Sequence, residues 1–208
     1  MTQTQSPTSA TTTTGRRRGA ELEDAIRAAA YAELSEVGYT AFSVEAVAAR
    51  ARTGKASIYR RWPTKQDLLV DTLGCELPTP ESVGLLPELD DSVTTADALR
   101  EIAHIIAEVM ASPAGDAMRS IKCEAVTDPE LAALIDERFQ APRRASLLAL
   151  LERGVQRGEV RSEAVTPLVA DVLPAVLTHR IILQREPMTA AEITEIIERV
   201  LLPLIEVR

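Results

Sequence analysis

Apolar residues recur at steps of three and four along most of this chain, a spacing that gives a helix one continuous apolar face. In the first such segment, residues 20–37, they are Leu22, Ile26, Ala29, Ala30, Leu34 and Val37. The composition agrees with this pattern, because aromatic residues make up only 3% of the chain and helix-forming residues are abundant. No strand pattern is found, so the sequence predicts an all-α fold.

Capping and helix-breaking residues set the bounds of the predicted helices. Gly38 is placed to end the first helix, and Asp128 followed by a proline is placed to begin another. Pro142 predicts a kink near Arg138, and residues 78–94 are expected to form a long loop. The predicted helices span residues 20–37, 44–51, 55–61, 96–111, 116–126, 129–153, 166–184 and 189–205, and a further long helix is predicted to begin at residue 65.

Several classes of protein are excluded by what the sequence lacks. Its apolar runs extend over only a handful of residues, whereas a membrane span needs about 20, so no membrane partner is expected. Residues 1–14 are polar and hold no secretory signal. Cys75 and Cys123 are expected to be free, buried thiols. The protein is therefore predicted to be cytoplasmic.

The net charge of −8 conceals a division between the two parts of the chain. Residues 15–65 hold ten Lys or Arg and six Asp or Glu, whereas residues 66–208 hold thirteen and twenty-five. Because a polyanion responds to the local potential more than to the total charge, the basic first quarter remains compatible with DNA binding.

Residues 43–65 carry the strongest functional signal. A capped short helix, a sharp turn and a second short helix, braced by helices on both sides, predict a helix-turn-helix whose second helix enters the major groove. Hydroxyl and ammonium donors lie at the start of that helix, and cations and a tyrosine follow. The predicted DNA-binding residues here are Ser43, Thr53, Lys55, Ala56, Ser57, Tyr59, Arg60, Arg61, Thr64 and Lys65.

Further contacts to the DNA backbone are expected on both sides of this pair. Arg16, Arg17 and Arg18 directly precede the first helix and are predicted to form a basic arm that contacts the backbone or the minor groove. Lys65, Tyr59 and the backbone amides after Ser43 and Thr64 are predicted to contact phosphates, since a helix N-terminus attracts anions.

Residues 16–75 resemble the DNA-binding domain of the TetR family of bacterial transcriptional repressors. The resemblance rests on Ala29-Ala30, Gly38-Tyr39, Thr40-Ala41-Phe42-Ser43-Val44, Val47-Ala48, Thr53-Gly54-Lys55-Ala56-Ser57-Ile58-Tyr59-Arg60-Arg61-Trp62-Pro63-Thr64-Lys65 and Leu68-Leu69. One departure is Arg52, where many members have the glycine of the turn, and Gly54 is expected to supply the missing flexibility.

The resemblance implies an Ω-shaped homodimer with an N-terminal three-helix DNA-binding domain and a larger C-terminal helical domain that binds a small molecule and dimerises. The predicted organisation is a disordered tail over residues 1–15, a helix-turn-helix domain over 16–64 and an effector-binding and dimerisation domain over 65–208. The last two predicted helices have broad apolar faces, which makes them candidates for the dimer interface.

The middle helices carry methionines and other apolar residues that suit an adaptable cavity for an apolar or amphipathic effector. The predicted pocket residues are Met110, Met118, Cys123, Phe139, Leu147, Leu150 and His179. We expect no catalytic residues, no cofactor and no metal site. The acidic group Glu88, Asp90 and Asp91 is interpreted as solvated.

The sequence therefore predicts a ligand-responsive regulator, with a repressor favoured, that binds a palindromic operator in double-stranded DNA as a homodimer and is released by the effector. Two alternatives remain open at this point. One is a small all-α enzyme or carrier that uses the C-terminal cavity, and the other is a helix-turn-helix adaptor that binds no ligand.

Overall fold

The computed structural model describes residues 13–77, 93–184 and 188–207, with side chains for 19–77, 93–180 and 188–207. The regular elements within these ranges are helices, which confirms the predicted all-α class. The helices are α1 (Thr13–Ala41), α2 (Val44–Arg50), α3 (Lys55–Tyr59), α4 (Lys65–Glu76), α5 (Thr95–Met110), α6 (Pro113–Ala125), α7 (Pro129–Ile135), α8 (Ala141–Gln156), α9 (Pro167–Gln184), α10 (Ala190–Ile196) and α11 (Leu202–Ile205). The acidic group Glu88, Asp90 and Asp91 and residues 1–12 of the predicted tail lie outside the described residues.

Helix α1 differs from the prediction at its start and agrees with it near its end. It begins at Thr13, so the backbone of Arg16, Arg17 and Arg18 is helical. The prediction that these arginines form an arm before the first helix is therefore wrong, because they belong to the helix itself. Gly38 interrupts the helix with a φ of +73°, a left-handed conformation that favours glycine. The predicted end of the first regular helix at Gly38 is thus confirmed.

The start of α6 corrects another predicted boundary. The sequence pattern ends one helix near Pro113 and begins the next at Asp116, but Pro113 is itself the first residue of α6. Ser112 caps the helix, and its hydroxyl accepts a hydrogen bond from the backbone N–H of Gly115. A proline is well tolerated at this position because the first-turn N–H groups have no partner within the helix.

Two π-helical segments each end two residues before a proline. The first, Asp136–Gln140, precedes Pro142, and the second, Ile197–Leu201, precedes Pro203. A proline inside a helix lacks the N–H donor and crowds the carbonyl four residues earlier, which disturbs the preceding turn. The predicted interruption of the helix before Pro142 is therefore confirmed. The helix predicted over residues 189–205 is also present over 190–205, but it contains a π-helical segment that was not predicted.

The buried apolar residues form two clusters. The first core is formed by residues of α1, α2, α3, α4, α6 and α7 together with Phe139. The second core is formed by residues of α5, α8, α9, α10 and α11. The first core thus continues past residue 65, where the sequence predicts a domain boundary. Helix α6 therefore packs with the helix-turn-helix, and Met110 contacts both cores.

Candidate nucleic-acid interface

The turn between α2 and α3 is made by Arg52 and not by Gly54. Arg52 adopts a φ of +54°, whereas Gly54 has a φ of −93° and is the N-cap residue of α3. The expectation that Gly54 supplies the flexibility is therefore wrong, because the arginine itself takes the left-handed conformation. The turn keeps its place, and α3 begins at Lys55 as predicted.

We expect Arg52→Gly to stabilise the protein by about 1 kcal/mol, because glycine adopts a left-handed conformation without the steric cost that a Cβ atom brings. Denaturant unfolding measures this change. Ala49→Gly, on the exposed side of α2, is the matched control and is expected to destabilise by about 1 kcal/mol. Destabilisation by both changes would contradict the assigned turn.

Helix α3 is fixed from one side and open on the other. Ile58 and Trp62 are 1% and 6% exposed and belong to the first core. Ala56, Tyr59 and Arg60 are exposed, and Tyr59 is 45% exposed although it is large and apolar. The predicted contact residues Thr53 and Ser57 are half-buried. The helix therefore presents a small, mixed polar and aromatic face outside the core.

Lys55 and Glu45 form an ion pair across the exposed side of α2 and α3. The hydrogen bond raises the pKa of Lys55 above its usual value, and it lowers the pKa of Glu45. Both side chains are more than half exposed, at 52% and 64%. Any anion that binds Lys55 must therefore compete with the Glu45 carboxylate.

Arg61 lies differently from the other predicted contact residues. The sequence predicts it on the exposed side of α3, but its side chain is only 19% exposed. Its Nε donates to Glu23 at 3.0 Å, and its Nη1 donates to the carbonyl and hydroxyl oxygens of Ser57 at 3.0 and 3.1 Å. These contacts hold the end of α3 against α1.

Both predicted helix caps are formed. The Ser43 hydroxyl accepts from the N–H of Ala46, and Thr64 forms a capping box with Asp67 at the start of α4. The Asp67 carboxylate accepts from the Thr64 N–H at 3.0 Å, so this amide is already occupied. The caps also occupy the N–H groups of Ala46 and Asp67. The N–H groups of the first two residues of each helix have no partner within the helix and are the ones suited to phosphate.

The ammonium group of Lys65 contacts Tyr39 at the end of α1. Its Nζ donates to the Tyr39 carbonyl at 2.7 Å and lies 4.0 Å from the centre of the Tyr39 ring. Burial lowers the pKa of Lys65 below its usual value. The predicted phosphate contact therefore competes with a bond that holds the end of α1 against α4.

Arg52 is a candidate that sequence reasoning missed as a contact residue. It is exposed in the turn directly before Thr53, and no carboxylate pairs with it among the described residues. Arg50, by contrast, is paired with Glu33 and Glu36. An arginine at the glycine position of the turn was the available signal.

Two hydrogen bonds connect this interface to the rest of the chain. The Tyr39 N–H donates to the Ser120 hydroxyl of α6 at 3.0 Å, and the Gln66 amide of α4 donates to Asp128 at 3.4 Å. Tyr39 also bonds to Lys65, so this residue connects α4 with α6. A shift of α6 would therefore act directly on the helix-turn-helix.

The predicted pocket residues are not brought together in one place. Met118 and Phe139 are buried in the first core, whereas Leu147 and Leu150 are buried in the second. Met110 is half-buried between the two cores. Cys123 and His179 are exposed, which puts them outside any buried pocket. The thiols of Cys75 and Cys123 are free as predicted, but the prediction that they are buried is wrong.

Among the helices of the described residues, none has the length and apolar character that a membrane span requires. The described His, Cys, Asp and Glu side chains likewise form no group of three that could hold a metal ion.

Two family models match the chain. Bacterial regulatory proteins of the tetR family match residues 26–72, and the C-terminal domain of tetracyclin repressor-like proteins matches residues 89–200. The first match covers the helix-turn-helix, and the second covers more than half of the chain.

Similar proteins agree with these matches. The HTH-type transcriptional regulator Rv1556 of Mycobacterium tuberculosis is 31% identical over 170 residues, which cover 82% of this chain and 81% of the relative. The DNA-binding transcriptional repressor TetR of Mycobacteroides abscessus is 31% identical over 193 residues, covering 90% and 96%. A TetR-family regulator from Mesorhizobium loti has the same fold, with a TM-score of 0.71 at 19% identity and coverage of 91% and 99%.

The first match includes α3, with its exposed face, and the helices that pack around it. The matching proteins are named as transcriptional regulators and not as enzymes. This chain belongs to the TetR family of DNA-binding transcriptional regulators.

Proposed function

We propose that this protein is a repressor that binds a palindromic operator as a homodimer in the cytoplasm and is released from it by a small apolar or amphipathic effector. The observation that carries the proposal is the face of α3, where Ala56, Tyr59 and Arg60 are exposed while Ile58 holds the helix in the first core. A short helix fixed in this way can enter a major groove without disturbing the core.

In the proposed complex, base edges and phosphates are contacted by different residues. Lys55, Ser57 and Tyr59 read base edges, with Thr53 and Ala56 beside them. Backbone contacts come from Arg52 and Arg60, from the amides that follow Ser43 and Thr64, and from the start of α1 at Arg16, Arg17 and Arg18. Arg61 and Lys65 are positioning residues, because their contacts to Glu23 and Tyr39 hold α3 and α4 in place.

The proposed dimer interface is formed by α9 and the segment from α10 to α11. Support comes from exposed apolar side chains on these elements, since Leu168 is 77% exposed, Val200 41% and Leu204 36%. A closed two-fold dimer buries the same patch on both subunits. It also sets the distance between the two α3 helices, so the operator is expected to have two symmetric half-sites.

The experiment that tests this function is the recovery of genomic DNA fragments by the purified protein. Enrichment of a few sites with two inverted half-sites, together with release of those sites by a compound that raises the unfolding midpoint, would support it. Recovered sites that no stabilising compound releases would favour a helix-turn-helix adaptor without a ligand. A failure to enrich any sequence at low salt would contradict the proposal.

Glu45→Gln is expected to increase the affinity for DNA about threefold to tenfold, because it removes a carboxylate from the proposed interface and frees Lys55 for DNA. Fluorescence anisotropy with a recovered site measures the change. Glu152→Gln, which makes the same charge change at an exposed position of α8, is expected to have little effect. Equal effects of the two changes would mean that Glu45 is remote from the DNA.

A further inference from the structure

Two positively charged side chains occupy positions where the helix pattern calls for apolar residues. Lys122 of α6 follows Met118 by four residues, and Arg143 of α8 lies four residues after Phe139 and four before Leu147. Residues at this spacing share one face of a helix. Because Met118, Phe139 and Leu147 are buried, the two cations lie on the faces that α6 and α8 turn toward the protein.

The contacts of these two side chains place them at the junction of the two cores. The Lys122 Nζ donates to the Thr178 hydroxyl of α9 at 3.3 Å, and so connects a helix of the first core to one of the second. The Arg143 guanidinium lies 5.8 Å from the centre of the Phe139 ring. Both side chains are half-buried, which leaves each of them accessible to a small solute.

Neither cation has a carboxylate partner among the described residues. This sets them apart from neighbouring arginines on the same helices. Arg144 pairs with Asp171 at 2.8 Å and with Asp136 at 3.6 Å, and Arg119 pairs with Asp116. Buried charges are normally paired because an unpaired charge is costly in a low-dielectric surrounding.

The protonation of the two groups reflects the missing counter-charge. Burial and, to a smaller extent, the positive charge of Arg143 together lower the pKa of Lys122 to about 8. Burial also lowers the pKa of Arg143 below its usual value. An anion placed between them would relieve both effects.

We propose that a small organic anion binds between Lys122 and Arg143, with its carboxylate or phosphate group on the two cations and its apolar part against Phe139. This inference rests on the proposed function, because it gives the chemical class of the effector. Two donors from different helices suit either headgroup, since both are recognised by charge-assisted hydrogen bonds.

The same helix offers a path from this site to the DNA-binding helices. Lys122 lies two residues after Ser120, whose hydroxyl accepts from the Tyr39 N–H. An anion that draws α6 toward α8 would change this contact, and with it the position of α4 through the bond between Tyr39 and Lys65. Binding at the junction of the two cores would thereby change the position of the helices that form the candidate nucleic-acid interface.

The test measures the thermal unfolding of the full-length protein with octanoate, octyl phosphate, inorganic phosphate or 1-octanol at matched ionic strength. We expect at least one of the organic anions to raise the unfolding midpoint, whereas the neutral alcohol leaves it unchanged. Comparison of octanoate with octyl phosphate identifies the headgroup, and inorganic phosphate shows whether the headgroup suffices without the apolar part.

Substitutions then locate the site. Lys122→Met and Arg143→Met are expected to weaken anion binding at least about tenfold. Arg144→Met, which removes a neighbouring arginine that is already neutralised, is expected to leave anion binding unchanged. Lys122→Gln replaces Lys122→Met if the latter fails to fold. The proposal is overturned if neither organic anion raises the midpoint, or if the rise persists in the Lys122 and Arg143 variants.

DNA binding is measured separately on the same samples. If the anion binds at Lys122 and Arg143 without releasing DNA, the proposed anion site is supported and the proposed release by an effector is contradicted. If a compound releases DNA equally from the wild type and from both variants, release by an effector is supported and the anion site is contradicted.

Discussion

Lys55→Ala is expected to weaken binding to the recovered operator about 100-fold, because a specific contact to a base edge is lost from both copies of α3. Binding to unrelated DNA is expected to fall far less, since it depends on phosphate contacts elsewhere in the chain. The unfolding midpoint should stay unchanged, because Lys55 is exposed and the partner with which it pairs in the described part of the chain, Glu45, is exposed as well. Anisotropy titrations with specific and random duplexes measure the two affinities.

Arg119→Ala is the matched control for this change. It removes the same charge from α6, and the partner that it leaves behind, Asp116, is itself exposed. We expect this variant to bind both duplexes like the wild type. If Lys55→Ala lowered the two affinities equally, Lys55 would be a phosphate contact and the direct reading of bases would belong to other residues.

Asp71→Ala is expected to lower the free energy of unfolding by about 2 to 4 kcal/mol, because two donors lose a charged acceptor. One Asp71 oxygen accepts from Arg27 Nε at 2.8 Å and from Trp62 Nε1 at 2.9 Å. Trp62 is only 6% exposed, so its N–H would have little access to water. Asp71 also pairs with Arg138 at 3.7 Å, which connects α4 to the π-helical segment before α8.

Asp24→Ala separates this role of Asp71 from a general effect of charge. Asp24 pairs with the same Arg27 at 3.2 Å, but its side chain is 77% exposed. Exposed pairs contribute little, so we expect a loss below about 0.5 kcal/mol. Chemical denaturation of both variants gives the comparison. Similar losses in the two variants would mean that Asp71 does not hold α1, α4 and Trp62 together.

The helices of the helix-turn-helix could be predicted because their signals are local. Ser43 and Thr64 cap the helices that follow them, and Gly38 takes the left-handed conformation. Pro113 and Pro203 carried the same kind of signal as Pro129 and Pro142. The first three residues of α6 and the last π-helical segment were not predicted, because a proline can either end one helix or begin the next and its position alone does not decide between the two.

Other features depend on residues that are distant in sequence. Arg61 is half-buried because Glu23, 38 residues earlier, accepts its hydrogen bond. The Lys65 ammonium is likewise held by the carbonyl of Tyr39 on α1. Neither contact follows from helical spacing, since spacing gives the face of a helix and not the residue that packs against it. The exposed face of α3 was therefore easier to predict than the roles of its individual cations.

The expectation of an apolar pocket illustrates the same limit. The residues predicted to line this pocket were methionines and other soft or apolar residues. In the structure, some of them are buried in one core or the other, and the rest are exposed. The informative positions were the charged residues Lys122 and Arg143 within the apolar faces. Their helical spacing from Met118 and Phe139 was visible in the sequence, but their lack of carboxylate partners was not.

Methylation interference on a recovered operator tests the central claim most directly, because a methyl group on guanine N7 blocks the major groove and one on adenine N3 blocks the minor groove. If α3 of each subunit lies in the major groove, N7 methylation should prevent binding at two clusters related by two-fold symmetry. Interference confined to adenine N3, or to a single unpaired cluster, would contradict the proposed mode of binding.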